Sequence, residues 1–160
     1  IPRLTLSDLE PEVKTIPMDI EKREDGVQII THDLQTSGIL YADIAFDMTT
    51  ITEDDLVLLP LLTRMFTETG TTTLEEVELQ RRIGSETGGL GFSTYTDAVS
   101  NAGTLSDLDK PVMYLMGRGK ATSDKIDNLL SLFQETLMNS RLDNQKRGIE
   151  MLKEMKIRRE

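Results

Sequence analysis

The sequence predicts an α+β domain with two layers, in which helices cover one face of an antiparallel sheet. Residues 39–48 alternate between apolar and polar side chains, which is the period-two pattern of a strand with one buried face. Residues 126–137 instead place apolar side chains at helical spacing. Paired strand patterns and paired helix patterns follow one another in the order β-β-α-α-β-β-α-α, which favours helices stacked on one side of a sheet.

Composition narrows the possible functions. The 160 residues suffice for one domain with a hydrophobic core, and no apolar run is long enough to predict membrane insertion. A net charge of -10 argues against nucleic acid as a partner and would attract basic peptides, although acidity also serves solubility alone. The absence of cysteine excludes disulfides and thiolate zinc sites. Because the chain starts at Ile1 rather than methionine, we expect a piece of a longer polypeptide.

The N-terminal part predicts an extended linker over residues 1–20 and a domain over residues 21–160. The linker has no helical or strand period, and it contains Pro2, Pro11 and Pro17. Alternation over residues 27–31 predicts the first strand, and a turn at residues 34–38 leads into the second strand. We expect one face of that second strand to be buried, with the residues Leu40, Ala42, Ile44, Phe46 and Met48. The wetter face carries Tyr41, Asp43 and Asp47.

Residues 52–70 predict a helix with acidic side chains in its first turn and a final glycine as its stop. Pro60 lies inside this pattern, so either it kinks the helix or the regular part starts near it. A second helix follows over residues 74–88, where Thr73 and Glu76 fit a capping box. The positions expected to be buried in it are Val77, Leu79 and Ile83.

The second half of the chain predicts strands over residues 90–96 and 112–116, joined by a polar loop over residues 100–110. A third helix begins near residues 122–124, and its apolar positions are Ile126, Leu129, Leu130, Phe133 and Leu137. Ser140 or Asp143 can cap a fourth helix, whose apolar positions are Ile149, Leu152 and Met155. Because no stop signal ends this helix, we expect the domain to be truncated.

The chain has a single histidine, His32, which Asp33 follows. Neighbours along a strand point to opposite faces, so these two side chains do not form an acid–base couple. We therefore interpret His32 as a structural or surface residue. One histidine without any cysteine also falls short of the converging ligands that zinc needs.

Two carboxylate groups are candidates for binding a cation, namely Glu53-Asp54-Asp55 and Asp107 with Asp109. Neither matches the ligand spacing of an EF-hand. The first group fits pairing with a helix dipole, and we interpret both as solvated side chains.

Two glycine motifs invite comparison with phosphate-binding loops. Gly88-Gly89-Leu90-Gly91 leads into a strand rather than a helix, which differs from a dinucleotide-binding turn. Gly119-Lys120 resembles a P-loop ending, but Ala121 replaces the serine or threonine and Tyr114 replaces the first glycine. These glycines instead favour a close approach of backbones at a sheet edge.

The last predicted helix is rich in methionine and basic residues, namely Met151, Lys153, Met155, Lys156, Arg158 and Arg159. Such a helix could bind a partner or a membrane surface. The spacing also fits a core stripe with a solvated basic face, which is the interpretation we adopt.

Several stretches occur in a specific order along residues 1–141. They are Pro2–Leu9, His32–Thr36 with Ile39–Tyr41, Leu58–Leu61 with Glu68–Thr71, Ile83-Gly84 with Thr87–Leu90, and Gly117–Lys120. In this order and spacing they resemble the second half of presequence proteases and falcilysin. These are large members of the pitrilysin (insulinase-type) zinc metallopeptidases.

The resemblance implies what the first predicted helix would carry in a catalytic domain of the family. There a His-x-x-Glu-His motif precedes Gly-Thr; its histidines and a later glutamate bind zinc, and its own glutamate is the general base. Anchored on Gly70-Thr71, the corresponding positions are Leu61, Arg64 and Met65. None of these side chains binds zinc or acts as a base. The resemblance therefore implies a degenerate repeat, and no catalytic, cofactor-binding or metal-binding residue is predicted in this chain.

The resemblance also implies a function for the parent polypeptide. In this family two halves close around a chamber that degrades short unstructured peptides. This chain would be a partial inactive domain of pitrilysin/LuxS-like fold that helps to wall the chamber, with zinc in the other half. The expected partners are the remaining domains of the polypeptide and basic peptides, in mitochondria or plastids. The alternative is a non-peptidase scaffold of the same fold, like the core subunits of the respiratory bc1 complex.

Overall fold

The computed structural model describes residues 15–99 and 107–158, together with Thr5 and Asp8. The chain divides into two compact units, residues 1–37 and residues 38–160, and each is described by itself. Most of the predicted linker lies outside the described residues. Among the residues that are described, no helix combines the length and the apolar character needed to cross a bilayer.

The first unit contains a short antiparallel hairpin. Strand β1, Asp19–Lys22, pairs with strand β2, Gln28–Thr31. The turn between them places Gly26 at a φ of 86°, a left-handed conformation that glycine adopts without a steric cost. Strand β2 confirms the first predicted strand. Strand β1 has no counterpart among the predicted strands, because its four residues include only one apolar side chain.

The second unit is built on a three-stranded antiparallel sheet in the order β3-β5-β4. Its strands are β3, Ile39–Asp47, β4, Leu90–Val99, and the central strand β5, Asp107–Thr122. The predicted strands are thus confirmed, but β5 has 16 residues and extends well beyond the predicted residues 112–116. Two glycines near its C-terminal end interrupt the apolar alternation on which that prediction depends.

Helices follow β3 and β5 in the chain. They are α1, Glu53–Leu56, α2, Leu59–Glu68, α3, Glu76–Glu86, α4, Ile126–Asn139, and α5, Gln145–Ile157, with a 3₁₀ turn at Ser123–Lys125. The predicted helix over residues 52–70 is divided between α1 and α2. Pro60 lies in the first turn of α2, where its missing N–H leaves no helical hydrogen bond unmade. The α+β class is therefore confirmed, and the described residues contain one strand and one α-helix more than predicted.

The helices pack on one face of the sheet, and two glycines of β5 set how closely they approach. A Cβ atom at Gly119 would lie 2.6 Å from Leu129 Cδ1, and one at Gly117 would lie 3.2 Å from the Phe133 ring. Leu129 and Phe133 of α4 are almost fully buried over this strand. On β4, the Phe92 ring lies between α2 and α4, with its centroid 4.6 Å from that of Phe66 and 6.4 Å from that of Phe133.

Two predicted helix caps are wrong. Thr73 does not cap α3, because its hydroxyl donates to Glu135 at 2.5 Å instead. Helix α5 is capped by Asn144, whose side-chain oxygen accepts from the Arg147 N–H at 3.2 Å. Neither Ser140 nor Asp143, the predicted caps of that helix, occupies this position.

Several apolar positions expected to be buried are more than a third exposed, namely Leu40, Phe46, Val77, Leu130, Ile149 and Leu152. The buried stripes of the helices are narrower than the apolar patterns suggest. In α3 only Leu79 and Ile83 are buried, and in α5 the buried residues are Gly148 and Met151. Helices α3 and α5 therefore contact the rest of the unit through few residues.

The close approach of α4 to β5 gives a test of the fold. We expect Gly119→Ala to lower the free energy of unfolding by about 1–3 kcal/mol, because its Cβ overlaps the buried Leu129 side chain. The matched control is Gly91→Ala on β4, where a Cβ meets nothing within 4 Å. It should change stability by less than about 0.5 kcal/mol. Urea unfolding of the purified chain measures both; equal losses would contradict the described packing.

Candidate functional site

The residues that the resemblance places at the zinc motif lie on α2, with Leu61 and Met65 at its two histidine positions and Arg64 at its general-base position. Leu61 offers no donor atom, and Arg64 carries a positive charge. Met65 is only 7% exposed, and its methyl group faces α5, where a Cβ at Gly148 would be 3.9 Å from it. Among the described residues, no group of three or more histidine, aspartate or glutamate side chains converges as a metal site. That the chain binds no zinc stays a prediction, which metal analysis can test.

Arg64 is held by carboxylates on two helices. Its Nε and Nη2 donate to Glu68 at 2.8 and 2.6 Å, and Nη2 also donates to Glu154 of α5 at 2.7 Å. Its Nη1 donates to the Met151 carbonyl at 3.3 Å. The hydrogen bonds to Glu68 and Glu154 raise the pKa of Arg64, and the bond from Arg64 lowers the pKa of Glu154. The guanidinium therefore joins α2 to α5 through groups that remain charged at neutral pH.

A second arginine extends these contacts to α3. Arg147 lies 3.2 Å from Glu154, 3.4 Å from Glu68 and 3.3 Å from Glu76. Burial acts to lower the pKa of Arg147, but the charge of Glu76 and the bond to Glu154 outweigh it and raise the pKa. We call these residues the arginine cluster: Arg64, Glu68, Glu76, Arg147 and Glu154. The cluster includes Arg64, which the resemblance places at the general-base position of the zinc motif.

Gly70-Thr71, the anchor of the resemblance, forms the turn between α2 and α3. Gly70 has a φ of 73°, and a Cβ there would lie 2.8 Å from the Leu74 carbonyl oxygen, so only glycine fits without strain. Thr71 is fully buried, and its hydroxyl donates to Glu135 of α4. Its carbonyl oxygen accepts from Arg141 Nε at 2.8 Å. These hydrogen bonds hold the turn against the C-terminal part of α4, which is a structural role.

Glu135 receives donors from both the turn and its own helix. The hydroxyls of Thr71 and Thr73 both donate to Oε1, and Asn139 Nδ2 donates to Oε2 at 2.7 Å. The two threonine hydrogen bonds are the main reason why the pKa of Glu135 is lowered. Glu135 therefore acts as a charged acceptor that holds the α2–α3 turn.

His32 and the acidic triplet Glu53-Asp54-Asp55 each make contacts within their own unit. His32 follows β2, and its Nδ1 lies 2.8 Å from the Pro17 carbonyl oxygen within the first unit. In the second unit, Thr52 caps α1 by accepting from the Asp55 N–H at 3.3 Å, so the acidic triplet lies at a helix start as predicted. The side chains of Asp107 and Asp109 lie outside the described residues.

The glycine motif permits close backbone approach as predicted, whereas the predicted core stripe of the last helix is only partly buried, since Ile149 and Leu152 are exposed. Gly88 N–H donates to the Lys120 carbonyl at 2.8 Å, and a Cβ at Gly88 would lie 3.0 Å from Lys120 Cγ. These glycines therefore permit close backbone approach beside the sheet. In α5, Met151 is fully buried whereas Lys153 and Lys156 are exposed. Arg159 lies outside the described residues.

The sheet face opposite the helices was not predicted as a whole, and it carries all three tyrosines of the chain. Phe92 of β4 and Leu115 of β5 face the helices. Side chains alternate between the two faces along a strand, so Tyr95, an odd number of residues from Phe92, faces away from the helices. The same holds for Tyr114, which is next to Leu115. Tyr41 of β3 shares this face and is 62% exposed. A shallow groove of about 520 Å³ lies along it; its lining includes Tyr41, Asp43, Gly91, Ser93, Arg118 and Lys120. We call this surface the tyrosine face.

Strand register is what brings the tyrosines together. In the sequence, Tyr41 marks the wetter side of one strand, but nothing in the local pattern places Tyr95 beside Tyr114. The register pairs these two residues directly across β4 and β5. Beside them, Arg118 of β5 lies 3.3 Å from Asp43 of β3, which gives this face an exposed ion pair.

In its described residues the second unit thus combines a helix layer, an uncovered sheet face and an ion-pair network between its helices. The model of the family described as peptidase M-16C associated matches residues 1–160. The chain belongs to this family, which confirms the predicted resemblance to presequence proteases.

Relatives of known name agree with this assignment. The chain is 29% identical over its full length to presequence protease 1, chloroplastic/mitochondrial, of Arabidopsis thaliana, of which it covers 14%. It is also 29% identical over its full length to protein HypA of Clostridium perfringens, of which it covers 16%. A mitochondrial presequence protease of Debaryomyces hansenii is 27% identical over 91% of the chain. The chain thus spans only 13–16% of the length of these relatives.

The arginine cluster predicts a stability effect at Arg64. We expect Arg64→Gln to lower the free energy of unfolding by about 1–2 kcal/mol, because Glu68 and Glu154 each lose one of their two arginine partners. Arg81→Gln in α3 is the control, since it breaks a 2.6 Å pair with Glu78 that is well exposed. The control should leave the urea midpoint unchanged. Equal midpoints for both variants would contradict a structural role for the cluster.

Glu135 predicts a pH dependence of stability. Its pKa is lowered in the folded chain, so its contribution is complete above the unfolded value of about 4.3 and is lost as pH falls through the folded value. Glu135→Gln should therefore cost about 1–2 kcal/mol at pH 7 and progressively less between about pH 5 and pH 3. Urea unfolding across this range tests it. A difference that stays constant with pH would indicate that packing, not charge, is the cause.

Proposed function

We propose that this chain forms part of the catalytically inactive half of a presequence-protease-like zinc metalloendopeptidase. The family match over all 160 residues carries the proposal. It is supported by α2, where Leu61, Arg64 and Met65 occupy the positions of a zinc-binding motif and contribute to packing and ion pairs instead. In this proposal the zinc ion and the general base belong to the other half of the polypeptide.

The proposal includes the pitrilysin-like fold of the complete domain. Helices packed on one face of an antiparallel sheet are compatible with such a fold. The other face is open in the described part of the second unit, and its tyrosines and exposed ion pair suit contact with a chain that lies across it. We propose that this face helps to wall the chamber in which peptides are degraded.

The proposed substrates are short, unstructured and basic peptides of the targeting type. Such peptides are rich in arginine and poor in acids, and a chain of net charge -10 would attract them. A mitochondrial or plastid location is part of the proposal, since two of the relatives carry these organelles in their names. No contact or comparison described above favours the scaffold alternative.

Peptide cleavage by the full-length polypeptide and by this chain alone tests the proposal. The full-length protein should cleave a basic, unstructured fluorogenic peptide, lose that activity to a zinc chelator and regain it with added zinc. The chain alone should show no chelator-sensitive cleavage, because it lacks a metal-binding motif on α2. Chelator-sensitive cleavage by the chain alone would refute its inactive role.

A variant on α2 tests whether this helix takes part in catalysis by the full-length protein. In the full-length protein, Arg64→Lys keeps the positive charge next to Glu68 and should leave kcat unchanged.

The salt dependence of cleavage tests the substrate class, because attraction between a basic peptide and an acidic wall weakens as salt is added. If cleavage depended on neither salt nor peptide charge, the assignment to basic peptides would fail.

A further inference from the structure

At one end of the tyrosine face, two tyrosines lie between two carboxylates. Tyr114 is on the central strand, and the register places Tyr95 directly opposite it on β4 and Asp47 directly opposite it on β3. Asp97 is the next residue of β4 on the same face. Neighbouring strands are about 4.8 Å apart, so the row of three residues spans about 10 Å. We call these residues the aromatic–acidic row: Asp47, Tyr114, Tyr95 and Asp97.

The polar groups of this row are fixed in a form that suits a cation. Tyr95 Oη donates to Asp97 Oδ2 at 2.7 Å, and this bond raises the pKa of Tyr95, so the phenol stays neutral. The N–H and hydroxyl of Thr49 donate to Asp47 at 2.8 and 2.6 Å, which lowers the pKa of Asp47. Both of these bonds end on Oδ1. Among the described residues no lysine or arginine pairs with Asp47.

The opposite end of the tyrosine face has a different charge. There Arg118 and Lys120 lie on β5, and Asp43 of β3 pairs with Arg118 at 3.3 Å. Tyr114 and Arg118 are four residues apart along the strand, a distance of about 13 Å. The charge of Arg118 also acts on Tyr95, whose pKa it tends to lower, but Arg118 is itself paired with Asp43. Along this face the carboxylates of the aromatic–acidic row and the cations Arg118 and Lys120 therefore lie towards opposite ends.

We propose that the aromatic–acidic row is a subsite for the arginine or lysine side chain of an extended peptide lying on the tyrosine face. A cation over a tyrosine ring is attracted by the ring's quadrupole, and the flanking carboxylates neutralise its charge. The inference rests on the proposed function, because it takes a peptide to be the occupant of this face. It adds the location and the chemistry of one recognition element.

Binding of two matched probes tests the subsite in the full-length polypeptide. Its zinc is removed with a chelator so that no turnover occurs. The probes are a fluorescein-labelled unstructured peptide with one arginine and the same peptide with citrulline, which has the same shape without the charge. Fluorescence anisotropy gives the ratio of the two Kd values. We expect the arginine peptide to bind roughly five- to thirty-fold more tightly.

Variants test whether the preference for the arginine peptide depends on the aromatic–acidic row. The double variant Asp47→Asn with Asp97→Asn should reduce the ratio to less than about two-fold, and Tyr114→Leu should lower it by roughly three-fold. The control is Asp127→Asn with Asp143→Asn, which removes the same charge from exposed positions outside the sheet. It should keep the full ratio. A ratio unchanged in the Asp47 and Asp97 variant, or lost equally in the control, would overturn the inference.

The proposed function and the subsite fail in different ways. If the zinc-loaded full-length protein shows no chelator-sensitive cleavage, the proposed function fails whatever the binding ratios are. If cleavage is chelator-sensitive and the preference for arginine survives loss of Asp47 and Asp97, only the subsite fails.

Discussion

The arginine cluster is the interaction on which the arrangement of the helices depends. Arg64 joins α2 to α5, and Arg147 adds α3 through Glu76. Partly buried ion pairs of this kind stabilise a structure only while every charge keeps its partner, so the cluster acts as a unit. In a zinc-binding relative, the resemblance implies that α2 would carry histidines at positions 61 and 65 and a general-base glutamate at position 64. In this chain Arg64 belongs to the cluster instead, and Met65 is buried beside α5.

One face of the sheet stabilises the fold by packing against the helices, and the other face is the one that we propose for interaction. The glycines of β5 bring α4 so close that Leu129 and Phe133 are almost fully buried, and this packing fixes the strands from one side. In the described part of the chain, the other face carries no helix and collects the tyrosines with a few charged side chains. A rigid sheet with one packed face is a suitable support for a binding surface, because its side-chain positions are set by backbone register. Such a division fits a domain that shapes a peptide chamber without performing the chemistry.

Much of the fold follows from local patterns, whereas the candidate surface does not. Alternation over residues 39–48 and helical spacing over residues 126–137 predict β3 and α4, because one face of each packs against the other layer. The same patterns fail for β1, which has too few apolar residues, and for the C-terminal half of β5, where Gly117 and Gly119 take the place of apolar side chains. Val77 is exposed although its spacing fits a buried position, since α3 makes contact only along Leu79 and Ile83. Tyr95 and Tyr114 are far apart in the sequence, and only the register of the strands makes them neighbours.

Metal content tests the central proposal most directly, namely that this chain belongs to a zinc peptidase and does not itself bind zinc. The chain and the full-length polypeptide would each be dialysed against dilute zinc and then against metal-free buffer, and their zinc would be counted by mass spectrometry. We expect one zinc ion in each full-length molecule and no stoichiometric zinc in the chain, because α2 offers Leu61, Arg64 and Met65. Stoichiometric zinc in the chain, or none in the full-length protein, would contradict this account.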